Sequence, residues 1–418
     1  MKRLKNKGLT LQTPQTAVSS SGAINRAPDM CAIKGVVTAA TMLLLLLTAC
    51  GGGGDRPDTR EQPPVVSIAF VQKTASVRTG IPVTLNVTAQ HTDFSIDAPV
   101  AANCVKNSDG NAVTCTPDAA NVYDVTVRAL ADSTKSDTAR ITALDITDIV
   151  HPNAGHVEIY GINNNGQLPV EIIDGEGKRK AFLMSGNSYI PISPANIGGD
   201  VYVFGVNNSG DVLGAAENGY FLRTGTRYES LNDFSGAVYT DYAGINNAGR
   251  LVGYFTDSAG YVRGFIKDKD SAAFIPIDHP SANNAGCAIG FQCGTYLTGI
   301  NDSGKISGYY INSDGVYRGF IRDGDVFIPV EHPASRSGNP VHVYISGINN
   351  TGKAVGIFWD SAGYVAGFVT DGNRFVEIVH PDSVSYGTYL TGINDSGRMS
   401  GWFYDGVTAR GFLINFEL

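Results

Sequence analysis

The chain has 418 residues, a formal net charge of −8 and few charged side chains, 17% in all. Its 50 Gly, 19 Tyr and 18 Phe, set in short alternating runs between Gly, Asn and Asp clusters, point to an all-β protein. The length allows two or three domains of roughly 100–200 residues. The acidic balance excludes nucleic acid as a partner, because no basic field attracts phosphates.

The first 49 residues read as targeting sequence and stand outside the fold. Lys2, Arg3, Lys5, Lys7, Arg26 and Lys34 precede an apolar run at 36–47. That run is shorter than the roughly 20 apolar residues of a spanning helix. It ends in Leu47-Thr48-Ala49-Cys50, which resembles the lipobox of bacterial lipoproteins. The resemblance implies cleavage before Cys50 and a lipid on its thiol that fixes the chain to a membrane. Gly51 in place of Asp implies the outer membrane, with the protein facing the periplasm or the cell surface. Met1 and Met30 are alternative starts. Residues 50–63, with four Gly and Asp55-Arg-Pro-Asp, read as a flexible tether.

Four further cysteines fall into two close pairs, Cys104 with Cys115 and Cys287 with Cys293. In an exported chain such pairs read as two local disulfides. No His lies at ligand spacing beside either pair, so neither a metal nor a cofactor is expected.

Residues 64–144 carry β-type runs at 65–70, 83–89, 123–130 and 137–144. Val83-Thr-Leu-Asn-Val-Thr-Ala alternates as a half-buried strand does, and Gly80-Ile-Pro and Asp118-Ala-Ala-Asn mark turns. The pattern resembles the immunoglobulin-like domains of bacterial surface proteins, which implies a small β-sandwich acting as a spacer. It departs from antibody-type domains, because Cys104 and Cys115 are too near in sequence to bridge two sheets. They staple one hairpin around Ser108-Asp-Gly instead.

From residue 145 onward the chain repeats itself. Gly161-Ile-Asn-Asn-Asn-Gly returns as Gly205-Val-Asn-Asn-Ser-Gly, Gly244-Ile-Asn-Asn-Ala-Gly, Gly299-Ile-Asn-Asp-Ser-Gly, Gly347-Ile-Asn-Asn-Thr-Gly and Gly392-Ile-Asn-Asp-Ser-Gly. Each unit reads as four short strands; in the fourth these are 296–301, 305–310, 316–322 and 326–331. Their turns, Asp302-Ser-Gly, Ser313-Asp-Gly and Asp323-Gly-Asp, are rich in residues that tolerate positive φ. Four antiparallel strands in about 45 residues is the size of a propeller blade. The sixth unit stops after its third strand, while the His-Pro that ends other fourth strands (His279, His332, His380) also occurs at His151-Pro152. Residues 145–150 are therefore expected to complete the last blade. This makes 145–418 a six-bladed β-propeller closed by its own N-terminal strand, which removes two exposed sheet edges.

The units resemble a family of bacterial extracellular repeats named for a His-Ala-Phe (HAF) motif. The resemblance runs from Tyr160 to Leu418. It rests on the Gly-Ile-Asn-Asn-x-Gly turn, on a following Val-Gly or Ser-Gly (Val252-Gly253, Ser307-Gly308, Val355-Gly356, Ser400-Gly401) and on a later Phe. The namesake positions are Lys180-Ala-Phe182, Arg263-Gly-Phe265, Arg318-Gly-Phe320, Ala366-Gly-Phe368 and Arg410-Gly-Phe412. None keeps the His. The family implies export and a repeat fold, with no particular activity.

The long connections after His279, His332 and His380 end at Tyr296, Tyr344 and Tyr389, which share one repeat position matched by Tyr202. Long loops on a rigid scaffold are where binding usually resides, so these six residues are the candidate ligand contacts. Most acidic residues of the repeats fall instead in hairpin turns, among them Asp257, Asp302, Asp314, Asp360 and Asp395. No nucleophile elbow, metal-binding His pair or phosphate loop occurs. The reading leans away from an enzyme, toward a surface binding or adhesion module for a glycan or protein ligand. A carbohydrate-active lyase or glycosidase on the same face and a structural envelope scaffold are the alternatives.

Overall fold

The computed structural model describes residues 64–194, 199–282, 293–333, 340–384 and 387–418. The expectations for residues 1–63, Cys50 among them, and for Cys287 lie outside the described residues.

Period-two alternation builds the N-terminal part. Its strands are β1 (Ser67–Phe70), β2 (Thr74–Arg78), β3 (Val83–Gln90), β4 (Phe94–Asp97), β5 (Cys104–Lys106), β6 (Ala112–Cys115), β7 (Asn121–Ala129) and β8 (Ser136–Ile149). One sheet has the order β1-β3-β6-β5; in the other, β8 lies between β2 and β7, and β4 follows β7. β2 runs parallel to β8 and the remaining pairs are antiparallel. Leu85, Val113, Val125 and Ile141 come from both sheets and form one core, so the two sheets make a sandwich. Cys104 and Cys115 face each other across the β5–β6 hairpin and are disulfide-bonded, as their spacing suggested.

The repeats then fold as blades of four antiparallel strands: blade 1 at 156–192, blade 2 at 202–230, blade 3 at 239–277, blade 4 at 294–330 and blade 5 at 341–378. Blade 6 takes three strands from residues 388–415 and its fourth from β8, with Asn415 opposite Asp145 and Gly411 opposite Ile149. The last blade is thus completed from the N-terminal side, as the His-Pro phasing predicted. β8 does more than that. Its residues 136–143 pair with β7 and residues 140–144 with β2, so one strand belongs to both the sandwich and the ring.

Ring closure is written in the side chains of the Gly-Ile-Asn-Asn turns. The first Asn of each turn donates its amide N–H to the carbonyl of the corresponding Asn in the next blade. The circuit runs Asn163, Asn207, Asn246, Asn301, Asn349, Asn394 and back to Asn163, at 2.8–3.3 Å. A second circuit closes beside it: the backbone N–H of Asn164, Asn208, Asn247, Asp302, Asn350 and Asp395 each meets the side-chain oxygen of the next in turn, at 2.6–2.9 Å. Six steps return each circuit to its start, so the array is a closed ring and not a solenoid.

The motif residues that follow form one packing unit per blade. A Cβ at Gly308 would meet the Tyr296 carbonyl oxygen and lie 2.8 Å from Phe320 Cζ. The glycine therefore makes room for the neighbouring strand and for the fully buried ring of Phe320. In blade 1, Val170 lies opposite Phe182, where blade 4 pairs Gly308 with Phe320. Phe182 is accordingly only half-buried. Opposite these phenylalanines, on the outer edge strands, stand Pro191, Ser230, Pro276, Pro329, Glu377 and Asp148. Proline and carboxylates at a sheet edge discourage pairing with another chain.

Candidate functional site

Each His-Pro ends a fourth strand, and its imidazole reaches the following blade. His279 stacks on Tyr310 at 3.9 Å, His332 lies 4.1 Å from Phe358, His380 stacks on Phe403 at 3.6 Å, and His151 sits between Phe182 and Tyr189. Nδ1 of His151, His279 and His380 accepts the backbone N–H two residues on, which closes the turn. Burial lowers the pKa of all four rings, to about 4 for His279 and His380. At neutral pH they are uncharged struts between blades. The structure thus places His279, His332 and His380 in three separate inter-blade contacts.

The tyrosine position has a different fate. It lies on the innermost strand, opposite a residue of the second strand. The pairs are Glu158–Glu171, Tyr202–Ala215, Asp241–Tyr254, Tyr296–Tyr309, Tyr344–Ile357 and Tyr389–Trp402 in blades 1 to 6. Tyr296 and Tyr389 are buried and Tyr344 is half-buried. In blades 1 and 3 the tyrosine is replaced by a carboxylate, Glu158 or Asp241. Setting the first and third repeats on their Gly residues gives this from the sequence, whereas tyrosine as a residue type does not mark these two positions.

Over blades 3 to 5 the rings join into a continuous run. Tyr254 meets Tyr296 at 4.8 Å, Tyr296 stacks on Tyr309 at 4.5 Å, and Tyr309 touches Tyr344 at 4.8 Å and Tyr317 at 5.2 Å. Tyr317 then meets Trp359 edge-on at 4.9 Å, and Trp359 stacks on His342 at 4.7 Å. Each such pair contributes about 0.5–1.5 kcal/mol beyond its area burial. Burial, and then the neighbouring Tyr296, Tyr344, Tyr317 and Tyr239 hydroxyls, push the pKa of Tyr309 well up; Tyr254 is raised the same way. The hydroxyls are therefore gathered, neutral and able both to donate and to accept. Disulfide-bonded Cys293 packs against this cluster. The run reaches the propeller face that carries the connections between blades, and Tyr317, Trp359 and His342 are half-buried there. Beside them, in the hairpin turn of blade 4, Arg318 donates to Asn312 at 2.9 Å and to Asp314 at 2.6 Å.

The opposite sector is ionic. Arg179 Nη1 donates to Glu158 at 2.6 Å and Glu171 at 2.5 Å, and its guanidinium lies over the Tyr202 ring. Tyr160 donates to Glu158, the Val203 N–H to Glu171, and His156 Nε2 lies 3.1 Å from the second Glu158 oxygen. Burial pushes Glu171 up to about 8 against the pull of Arg179 and with the help of the Glu158 charge. Burial would raise Glu158 too, but His156 and Arg179 prevail and hold it at about 2. One charge is thus shared by two carboxylates and balanced by one arginine, a packed joint between blades 1 and 2.

No family model matches the chain, and no curated protein does. Solved structures do resemble it. A mutant Aleuria aurantia lectin in complex with alpha-methyl-L-fucoside is 13% identical, covering 64% of this chain and 93% of its own, with a TM-score of 0.38. The β-propeller domain of the Trilobed protease from Pyrococcus furiosus is 10% identical over 84% of this chain and 96% of its own, TM-score 0.39. TolB from Acinetobacter baumannii is 10% identical over 77% and 80%, TM-score 0.38. The propeller itself rests on the two closed hydrogen-bond circuits of this chain.

Proposed function

We propose that the protein is a binding module of the bacterial cell envelope, and that its propeller takes a glycan on the face reached by the tyrosine run. The observation that carries this reading is the gathering of neutral tyrosine hydroxyls and ring faces from Tyr254 to Trp359 on one sector of a rigid ring. Sugars present flat C–H faces and a fringe of hydroxyls, and amphipathic rings with polar tips match both. Screening soluble residues 64–418 against glycan panels and polysaccharide substrates tests it. Binding without product formation is the expected result. Turnover favours a carbohydrate-active enzyme, and the absence of any glycan ligand sets the proposal aside.

The sandwich is read as an immunoglobulin-like domain. The parallel β2–β8 edge supports this, as does Tyr123 near the start of β7, whose hydroxyl reaches back to the Ala119 carbonyl at 3.0 Å. Cys50 is read as the lipid-bearing residue that holds the chain to the outer membrane. Cys50→Ala should then move the protein from the membrane fraction to the soluble fraction. Membrane retention of that variant would count against lipidation.

A further inference from the structure

We infer that the ring carries one ligand site and not six, seated on Tyr317, Trp359 and His342 between blades 4 and 5, and that this site selects a neutral glycan. The inference rests on the glycan-binding reading and makes it specific.

The first ground is the breakdown of sixfold symmetry at the very positions that line the inner wall. Two aromatic partners face each other in blade 4 (Tyr296–Tyr309) and in blade 6 (Tyr389–Trp402). Blade 2 sets Ala215 against its tyrosine, blade 5 sets Ile357, and blade 1 has two glutamates. The scaffold repeats, but the chemistry does not. Among the described residues the Tyr389–Trp402 pair is a stack of two rings at 3.9 Å, whereas the rings of blades 4 and 5 continue outward through Tyr317 to Trp359 and His342.

The second ground is that this outer end is held ready. His342 pairs with Trp359 across the first two strands of blade 5 and lies parallel to it, at an interplanar angle of 5°. The Tyr317 N–H donates to His342 Nδ1 at 3.3 Å, which locks blade 4 to blade 5 beneath the indole. Rings fixed this way lose little freedom on binding. The third ground is charge. Asp314 is paired with Arg318, and His342 is kept neutral by burial and by Arg318. Tyr317, Trp359 and His342 themselves therefore offer ring faces and a hydroxyl and carry no net charge, which favours a neutral sugar over an acidic or amino one.

The chain has only two tryptophans, Trp359 and Trp402, so intrinsic fluorescence reads the site directly. A neutral oligosaccharide found by the glycan screen is titrated into residues 64–418, alongside an acidic oligosaccharide of the same length. Calorimetry should give one ligand per chain. The fluorescence change should survive Trp402→Phe and vanish in Trp359→Phe. Tyr317→Ala should weaken binding at least about tenfold, while Tyr317→Phe, which keeps the ring, should weaken it less. Melting temperatures of the variants confirm that each is folded. Several ligands per chain, a signal that follows Trp402, or preference for the acidic oligosaccharide would overturn the assignment and leave glycan binding standing. A screen with no glycan ligand at all overturns both.

Discussion

At the scale of single residues, the two circuits explain which repeat positions are fixed. The first Asn of each turn has to accept and donate at once. Asn301 Oδ1 accepts the Lys305 N–H and the Ser303 hydroxyl, while Nδ2 donates to the Asn349 carbonyl of the next blade. Against ionised Asp, the side chain of the same shape, only the carboxamide does both at neutral pH, and all six turns have Asn there. The second residue needs only an acceptor for a backbone N–H, and Asp302 and Asp395 serve as well as Asn. Asn301→Asp keeps the acceptor and sets a buried carboxylate against the Asn349 carbonyl. It should cost about 2–3 kcal/mol at neutral pH, from a lost hydrogen bond and an unsatisfied buried group. Burial and that facing carbonyl raise the new carboxyl's pKa in the folded state, so it gains a proton as pH falls and can then donate. The difference in melting temperature between Asn301→Asp and the parent should therefore shrink from pH 7 toward pH 5. A constant difference would show that the donor role is not what fixes this residue.

At the scale of elements, turns and strand phasing were the legible part. The sequence predicts the strands of blade 4 at 296–301, 305–310, 316–322 and 326–331, and they are Gly294–Ile300, Ile306–Ile311, Tyr317–Asp323 and Val326–Val330. Gly and Asp in the turns fix these limits locally, so they survive without knowledge of neighbours. In the sandwich, the Cys104–Cys115 hairpin is legible as β5 and β6, but β2 and β4 are not; they are five and four residues long, and neighbours rather than periodicity define them. The expected boundary after Leu144 falls where the repeat region begins, yet β8 runs through it. The sequence did hold a warning, because Ser136 to Ile149 contains no Gly, Pro or Asn to break a strand. The site was less legible still. Tyr296, Tyr344 and Tyr389 are visible as a repeat position, but Tyr309, Tyr317, Trp359 and His342 join them through strand pairing within blades and packing between them, which the sequence does not show. The His-Pro histidines looked like loop ligands because the sequence does not show that a ring of the next blade waits for each.

At the scale of the whole molecule, β8 makes the sandwich part of the ring's closure. Beyond the shared strand, Arg78 at the end of β2 donates to Asp148 at 3.0 Å and to Asp382 at 3.1 Å, and lies 3.3 Å from His380 Nε2. Sandwich residues Ala120 and Val122 pack against the blade 6 core around Phe412 and Ile414. A spacer hung on a flexible linker would unfold by itself and leave the propeller unaffected. Here, losing the sandwich also loosens the strand that seals blade 6, and an unsealed blade exposes its edge and strains both asparagine circuits. Both tryptophans lie in blades 5 and 6, so their fluorescence reports the ring alone, while far-UV circular dichroism reports all strands. In urea the two probes should give coincident transitions for residues 64–418. Leu85→Ala, a fully buried change in β3 of the sandwich, should remove about 2–5 kcal/mol. It should lower the tryptophan midpoint as far as the circular dichroism midpoint, although Leu85 belongs to the sandwich core alone. Two separated transitions, with the tryptophan midpoint unmoved by Leu85→Ala, would mean that residues 145–149 seal the ring without help from the sandwich.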